Sequence, residues 1–397
     1  MKKIRSFILS LAVILNVFAL EPRASGMEAD NGKVDNNIVY EGVDAPEISA
    51  VAAVLMDAST GTVLYTKNAS EALPPASVTK IMTLLLVAEA IDDGRISIDE
   101  KVRVSAEAAS KGGSQIFIKE GEEFTVEELL KSTVIASAND AAVALAELVS
   151  GSEDSFVDQM NKRAKELGMT NTSFENATGL DDTVEHHLIS AYDIAIMSRE
   201  LIKYDIITKY SRIWQDTIRD GEFVLTNTNR LVRFYDGCTG LKTGSTDKAG
   251  FCVSATAERN GMHLIAVIMG AETRDDRNNA ARALLDYGFA NYGVYTYPKT
   301  LLENIPVFYG KSDYVMVYSK GFSKLVSKGD KNQIESEYII PEKLTAPLNE
   351  GEKVGEIVFK LDGKIIGKSD VCTSEKVERI GIAGLYARIL RTVLTGK

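Results

Sequence analysis

The chain has 397 residues, long enough for two folded units, and 45% hydrophobic and 25% charged residues give it the composition of a globular protein. A formal net charge of -11 leaves no basic stripe to neutralise phosphates, which excludes a nucleic-acid partner. Three cysteines and three histidines without ligand spacing give neither a disulfide framework nor a metal site, and no cofactor is expected.

Taken in order, the chain opens with Lys2, Lys3 and Arg5 ahead of an apolar run from Phe7 to Leu20, followed by the small residues Ala24-Ser25-Gly26. This is the pattern of a secretory signal peptide over residues 1–26; an uncleaved anchor is the alternative, though the run is short for a span. Either way the body of the chain is expected outside the cytoplasm. Residues 27–47 are acidic and polar and read as a linker. The apolar run Ala50–Leu55, the turn residues Asp57-Ala-Ser-Thr-Gly61 and the run Val63–Tyr65 predict a β-hairpin. After Pro74-Pro75, the stretch Ile81–Ile91 is too long for a strand and predicts a buried helix, closed at Asp92-Asp93-Gly94. Further helices are expected from Thr125, whose Glu128 completes a capping-box pattern, over Ala141–Val149 up to Gly151, over Ser155–Leu167 up to Gly168, and over Ser190–Lys203, capped by Ser190 with Asp193 three residues on. β-Structure returns at Lys242-Thr243-Gly244 and in two runs, Phe251–Ala257 and His263–Met269. Asn260-Gly261 between them is the strongest short hairpin signal. Arg274–Tyr292 predicts a closing helix. Strands at both ends with helices between them predict an α+β domain over residues 48–292, built on one antiparallel sheet with helical layers.

From about Thr300 short β-rich runs alternate with turns such as Leu361-Asp-Gly363, predicting a small all-β domain over residues 299–375. Over residues 376–397, Ile382, Leu385, Tyr386, Ile389, Leu390, Val393 and Leu394 recur at helical spacing, with Arg388 and Arg391 on the other face. This predicts an amphipathic helix on the membrane surface, its arginines against anionic headgroups. A helix packed on the β-domain or on a partner subunit is the plainer possibility. Cys238 and Cys252 either pair across neighbouring strands or stay free.

Three motifs carry chemistry: Ser77-Val-Thr-Lys80, Ser137-Ala-Asn139 and Lys242-Thr243-Gly244. A serine three residues before a lysine shares one helical turn with it, so a weak nucleophile stands beside an amine able to take its proton. Lys80 must be neutral for that, and burial beside a second cation, Lys242, lowers its pKa. Ser137 can relay a proton, and Asn139 can hold Lys80 and a substrate amide. Lys242 and Thr243 on an edge strand can bind a carboxylate, while Gly244 leaves the path of an incoming peptide clear. The amides of Ser77 and Ser245 would form an oxyanion hole. A lone Ser-x-x-Lys is weak evidence, as the second copy Ser245-Thr-Asp-Lys248 shows; the ordered set of three motifs is specific. It is the set of serine β-lactamases and penicillin-binding proteins.

Leu73-Pro-Pro-Ala-Ser77-Val-Thr-Lys80-Ile-Met-Thr83 resembles the active-serine segment of the serine D-alanyl-D-alanine carboxypeptidases, the low-molecular-mass penicillin-binding proteins. Gly112-Gly-Ser-Gln115, Ser137-Ala-Asn-Asp-Ala-Ala142, Lys165-Glu-Leu-Gly-Met169, Asn176-Ala-Thr-Gly-Leu180, Ser190-Ala-Tyr-Asp193 and Gly240-Leu-Lys-Thr-Gly244 are similar to family landmarks in the same order. The resemblance implies a β-lactamase/transpeptidase-like fold and a substrate of peptidoglycan pentapeptide ending in D-Ala-D-Ala, with β-lactams as inhibitors. It implies Ser77 as acyl-ester nucleophile, Lys80 as proton acceptor, Ser137 and Asn139 as relay and substrate contacts, and Lys242 as carboxylate binder. It also implies action at the extracytoplasmic face of the bacterial cell membrane, with the closing helix as anchor. A class A-like β-lactamase shares the motifs but needs a Glu-x-x-Leu-Asn segment between Asn139 and Lys242, where none stands. A non-catalytic penicillin-sensing wall-binding protein, or a DD-endopeptidase cutting cross-links, would carry the same three motifs.

Overall fold

The computed structural model describes residues 45–182 and 184–395; the expected signal peptide and residues 27–44 of the expected linker lie outside them. The first hairpin forms as expected from β1 (Ala52–Asp57) and β2 (Val63–Lys67). At the far end of the domain β3 (Cys238–Thr246), β4 (Gly250–Arg259) and β5 (Met262–Ala271) form a meander. Asn260 and Gly261 both take positive φ, 52° and 75°, the twist-matching turn for which this dipeptide is selected. β1 then pairs antiparallel with β5, giving one five-stranded sheet in the order β3-β4-β5-β1-β2.

Both faces of this sheet are covered, which is why β1 reads as continuous apolar sequence rather than alternation. Ala52, Val54 and Met56 pack into a core with α1 (Lys80–Asp92) and α5 (Ala191–Leu201). Ala53 and Leu55 pack on the other side with Leu284 and Leu285 of α6 (Arg274–Asn291). Along the chain between α1 and α5 come α2 (Val126–Lys131), α3 (Asn139–Ser150) and α4 (Glu153–Glu166), which pack into the core on the α1 side. The starts of α2, α4 and α5 are set by side chains named in the sequence or next to them. Thr125 and Glu128 form the reciprocal capping box, Ser190 accepts from the Asp193 amide, and Ser152 caps α4 three residues earlier than the expected start. A short hairpin, Gln215–Ile218 with Phe223–Thr226, is not expected from the sequence pattern.

β-Structure resumes directly at Tyr292–Tyr297, which pairs with Phe322–Ser327. Six further strands form a second sheet around a separate core that includes Val315, Val317, Ile357 and Phe359. Residues 376–380, expected to be helical, are extended instead. Val377 and Arg379 bridge to Leu348 and Gly310, because the sheet edge offers them backbone partners. The helix proper is α7 (Ile382–Thr395). Among the described residues no helix is long and apolar enough to cross a membrane. Arg388 also departs from its expected setting against lipid: its guanidinium donates to the carbonyls of Gly310 and Lys311 and pairs with Asp313. Cys238 and Cys252 are free thiols, since the register sets them opposite Ala257 and Gly244 rather than each other.

Candidate active site

Ser77 lies in a single 3-10 turn, Ala76–Thr79, that runs straight into α1. Pro75 ends the preceding extended segment and the apolar face of α1 anchors the turn in the core, so the serine is half-buried while Lys80 is fully buried. The Lys80 ammonium nitrogen Nζ lies 2.9 Å from Ser77 Oγ, 2.5 Å from Asn139 Oδ1 and 2.8 Å from the Thr178 carbonyl oxygen. Asn139 cannot be turned round, because its Nδ2 donates to the Gly112 carbonyl at 2.7 Å. Burial drives the Lys80 pKa well below that of an ordinary lysine, and the neighbouring charge of Lys242 pushes the same way, against smaller opposing effects of Asp140 and Glu153. A neutral amine has two N–H donors and one lone pair. Asn139 Oδ1 and the Thr178 carbonyl take the two donors, which leaves the lone pair for the Ser77 hydroxyl.

The second motif is presented by an irregularity in the helical layer. After α2 the chain makes a wide π-helical turn, Ser132–Ala136, and Ser137 follows with φ +65°. That left-handed residue ends one helix and lets α3 begin at Asn139, so Ser137 and Asn139 project from a break rather than from a helix face. Asp140 fixes the loop opposite by accepting from the Ile116 and Ile118 amides. The Ser137 hydroxyl accepts a hydrogen bond from Lys242 at 2.8 Å, so its structural partner is the second lysine and not Lys80. Lys242 also donates to the Thr243 carbonyl. Its pKa is lowered to about 7 by burial and by the nearby Arg277.

β3 is the sheet edge, and it runs alongside the Ser77 turn. Gly244 is needed there for a reason other than the one expected. A Cβ on it would lie 2.8 Å from the Ser77 amide nitrogen and 2.9 Å from the Pro75 carbonyl oxygen, so the glycine admits the backbone of the Ser77 turn itself. Thr243 is held by a hydroxyl contact to Thr228 at 2.8 Å, and Ser245 is exposed at the rim. Ser77, Ser137, Thr243, Gly244 and Ser245 all line one cleft of about 670 Å³. The second Ser-x-x-Lys copy makes no such pair: Lys248 donates to the Asp181 carbonyl.

Several lining residues are not marked by any sequence motif. Arg277, buried on α6, and Arg230 and Arg274, exposed, add cations to the cleft, and Trp214 and Phe234 wall it. Nothing local distinguishes these residues, which are far from the motifs in sequence. The Thr178 carbonyl is legible only as part of the Asn176–Leu180 landmark. There Asn176 Oδ1 accepts from the Thr178 and Gly179 amides and turns the carbonyl toward Lys80.

Comparison with known proteins shows the family of the chain. Residues 40–273 match the family model described as D-alanyl-D-alanine carboxypeptidase, and residues 294–379 match that of the penicillin-binding protein 5 C-terminal domain. The chain is 43% identical over 397 residues to D-alanyl-D-alanine carboxypeptidase DacF of Bacillus subtilis (98% of each chain). It is 36% identical to DacC of Escherichia coli, covering 86% of this chain and 88% of that one. Among solved structures, penicillin-binding protein 5 of Haemophilus influenzae superposes with a TM-score of 0.70 at 31% identity, covering 85% of this chain and all of the other. Ampicillin-bound penicillin-binding protein D2 of Listeria monocytogenes gives 0.57 at 33% identity, over 62% of this chain and all of that one. The chain belongs to the D-alanyl-D-alanine carboxypeptidase family, serine peptidases that act on cell-wall peptidoglycan outside the cytoplasm.

Proposed function

We propose that Ser77 is the acyl-ester nucleophile of this DD-carboxypeptidase and that Lys80 is its base. The observation that carries the assignment is the contact of 2.9 Å between Ser77 Oγ and a buried lysine whose other two polar neighbours are acceptors. Ser77 Oγ attacks the carbonyl carbon of the penultimate D-Ala of a pentapeptide and its proton passes to Lys80. The amides of Ser77 and Ser245 face the oxyanion. The C–N bond then breaks; the leaving D-Ala nitrogen takes the Ser137 proton, and Ser137 takes one from the Lys242 ammonium. A group with a pKa of about 7 gives up and regains a proton readily at neutral pH. Lys80 returns its proton to solvent and Lys242 regains one. Water next attacks the ester, giving its proton to Lys80, which passes it to the departing Ser77 oxygen. Lys242, Thr243 and Arg277 hold the substrate's terminal carboxylate. β-Lactams acylate the same serine but leave no diffusing amine.

The helix α7 anchors the enzyme to the outer face of the cell membrane, with the β-domain as a stalk. Its apolar residues, from Ile382 to Leu394, are between 39% and 86% exposed, which supports a face made for lipid. Two experiments test these assignments. Ser77→Ala should release no D-alanine from a pentapeptide and take up no mass from benzylpenicillin; release at the parent rate refutes the nucleophile. Deleting residues 381–397 should free the protein from membranes, and unchanged partition refutes the anchor.

A further inference from the structure

The hairpin tip beside α7 carries three large aromatic side chains with no core to enter: Phe308, Tyr309 and Tyr314 are 50%, 56% and 58% exposed. The tip and the helix are tied together. The Ile380 amide, two residues before α7, donates to the Tyr309 carbonyl at 2.8 Å, and the Lys311 amide donates to the Glu378 carbonyl. From within the helix, Arg388 reaches the Gly310 carbonyl at 3.0 Å and the Lys311 carbonyl at 3.2 Å, and pairs with Asp313 at 2.9 Å. Two cations stand over the rings, Lys343 at 5.1 Å from the centre of Phe308 and Arg379 at 5.7 Å from that of Tyr309.

We infer that the tip formed by Phe308, Tyr309 and Tyr314 is a second membrane contact, immersed with α7 at the headgroup level of an anionic phospholipid bilayer. The inference rests on the anchoring role proposed for α7. A helix lying in the interface buries its apolar side about 5–10 Å into the headgroup and acyl boundary, and its own diameter is about 10–12 Å. Arg388 binds the tip to the polar side of that helix, about one helix diameter from the buried side, and so the tip stands at headgroup depth. That is the level at which aromatic rings with polar tips are enriched, and the cations stacked on them there meet phosphates. Arg388 has a use other than direct lipid contact: it clamps the helix to the tip so that both enter together. Two tethers instead of one fix how the stalk, and so the catalytic domain, stands on the membrane.

The full chain is tested on vesicles of phosphatidylethanolamine and phosphatidylglycerol. Tyr309→Trp, read against the parent signal of Trp214, should shift to the blue on binding and be quenched by lipids brominated on the acyl chain. Replacing Phe308, Tyr309 and Tyr314 together by Ser should lower the partition coefficient about tenfold, or 1.4 kcal/mol. D-Alanine release by that variant should be unchanged, showing that it is folded. If the full chain binds and needs α7, yet Tyr309→Trp is unquenched and the triple variant partitions like the parent, the tip is no membrane contact although the anchor stands. If the full chain does not partition at all, both readings fall. A parent dimer, without lipid, that the triple variant converts to monomer, with no quenching on vesicles, assigns the patch to a second copy and overturns the inference.

Discussion

Gly179→Ala tests how the lysine is held in the catalytic cleft. At φ +81°, this glycine lies against the Ser77 turn so closely that a Cβ would fall 1.8 Å from the Ala76 carbonyl oxygen and 2.6 Å from Thr79 Oγ1. No side-chain rotation relieves a clash with backbone, so either the 176–180 loop or the Ser77 turn must shift. The left-handed conformation alone costs a residue with a Cβ about 1–2 kcal/mol. Withdrawing the Thr178 carbonyl leaves a donor of buried Lys80 unsatisfied, at a further cost of about 1–3 kcal/mol. Together these predict a fall in Tm of roughly 5–15 °C. If the turn moves by about 1 Å, acylation by benzylpenicillin should slow about a hundredfold. Gly94→Ala is the control, because Gly94 also has positive φ, 70°, but a Cβ there meets nothing within 4 Å. It should show only the conformational cost and keep the parent acylation rate. Thermal melts and stopped-flow acylation of the two variants decide the matter. Equal Tm losses and equal rates would refute the claim that this loop is pressed against the Ser77 turn.

Three more outcomes follow from the charges and contacts. Lys242→Met removes a like charge that helps depress Lys80, so the pH at which acylation switches on should move upward; an unmoved limb in the kcat profile would contradict the coupling. The same variant bears on stability: with Lys242 lowered to about 7, the unfolded chain binds more protons between there and the ordinary lysine range, so stability rises with pH. Urea melts of parent and Lys242→Met at pH 7, 8 and 9 should differ in slope, the parent gaining more. Finally, the Glu175 amide donates to His187 Nδ1, which leaves Nε2 as the donor to Thr79 Oγ1, and that hydroxyl in turn donates to the Ala76 carbonyl. With His187 lowered to about 4 by burial, the series stays in one protonation state near neutral pH. His187→Phe and Thr79→Val should each slow acylation about tenfold and the double variant scarcely more, whereas additive losses would show that they act separately.

What is legible in the sequence is whatever is encoded within a few residues. The capping box at Thr125 and Glu128, the cap at Ser190 and the turn at Asn260-Gly261 appear in the structure as expected, since each depends on chemistry internal to one turn. The order of the three motifs is enough to expect one cleft, and Ser77, Ser137 and Thr243 do line one. The contributions made across the fold are not legible. Arg277 reaches the cleft from α6, and the pairing of Ser137 with Lys242 depends on a π-helical turn that propensities do not signal. The need for Gly244 is visible in the sequence but its true neighbour is not, because the close approach of the Ser77 turn is a tertiary fact. The same holds for Arg388, whose carbonyl partners at Gly310 and Lys311 lie in another hairpin.

The pairing of β1 with β5 bears on how the molecule is made. These strands are partners in the middle of the catalytic sheet, yet almost the whole domain separates them along the chain. A ribosome delivers β1 early, and although β2 soon claims one of its edges, the other must wait unpaired until β5 emerges. Such distant pairing is slow and cannot be completed by a partial chain. Ser77 and Lys80, alongside that sheet's edge strand β3, are therefore brought together late, only once synthesis has passed β5.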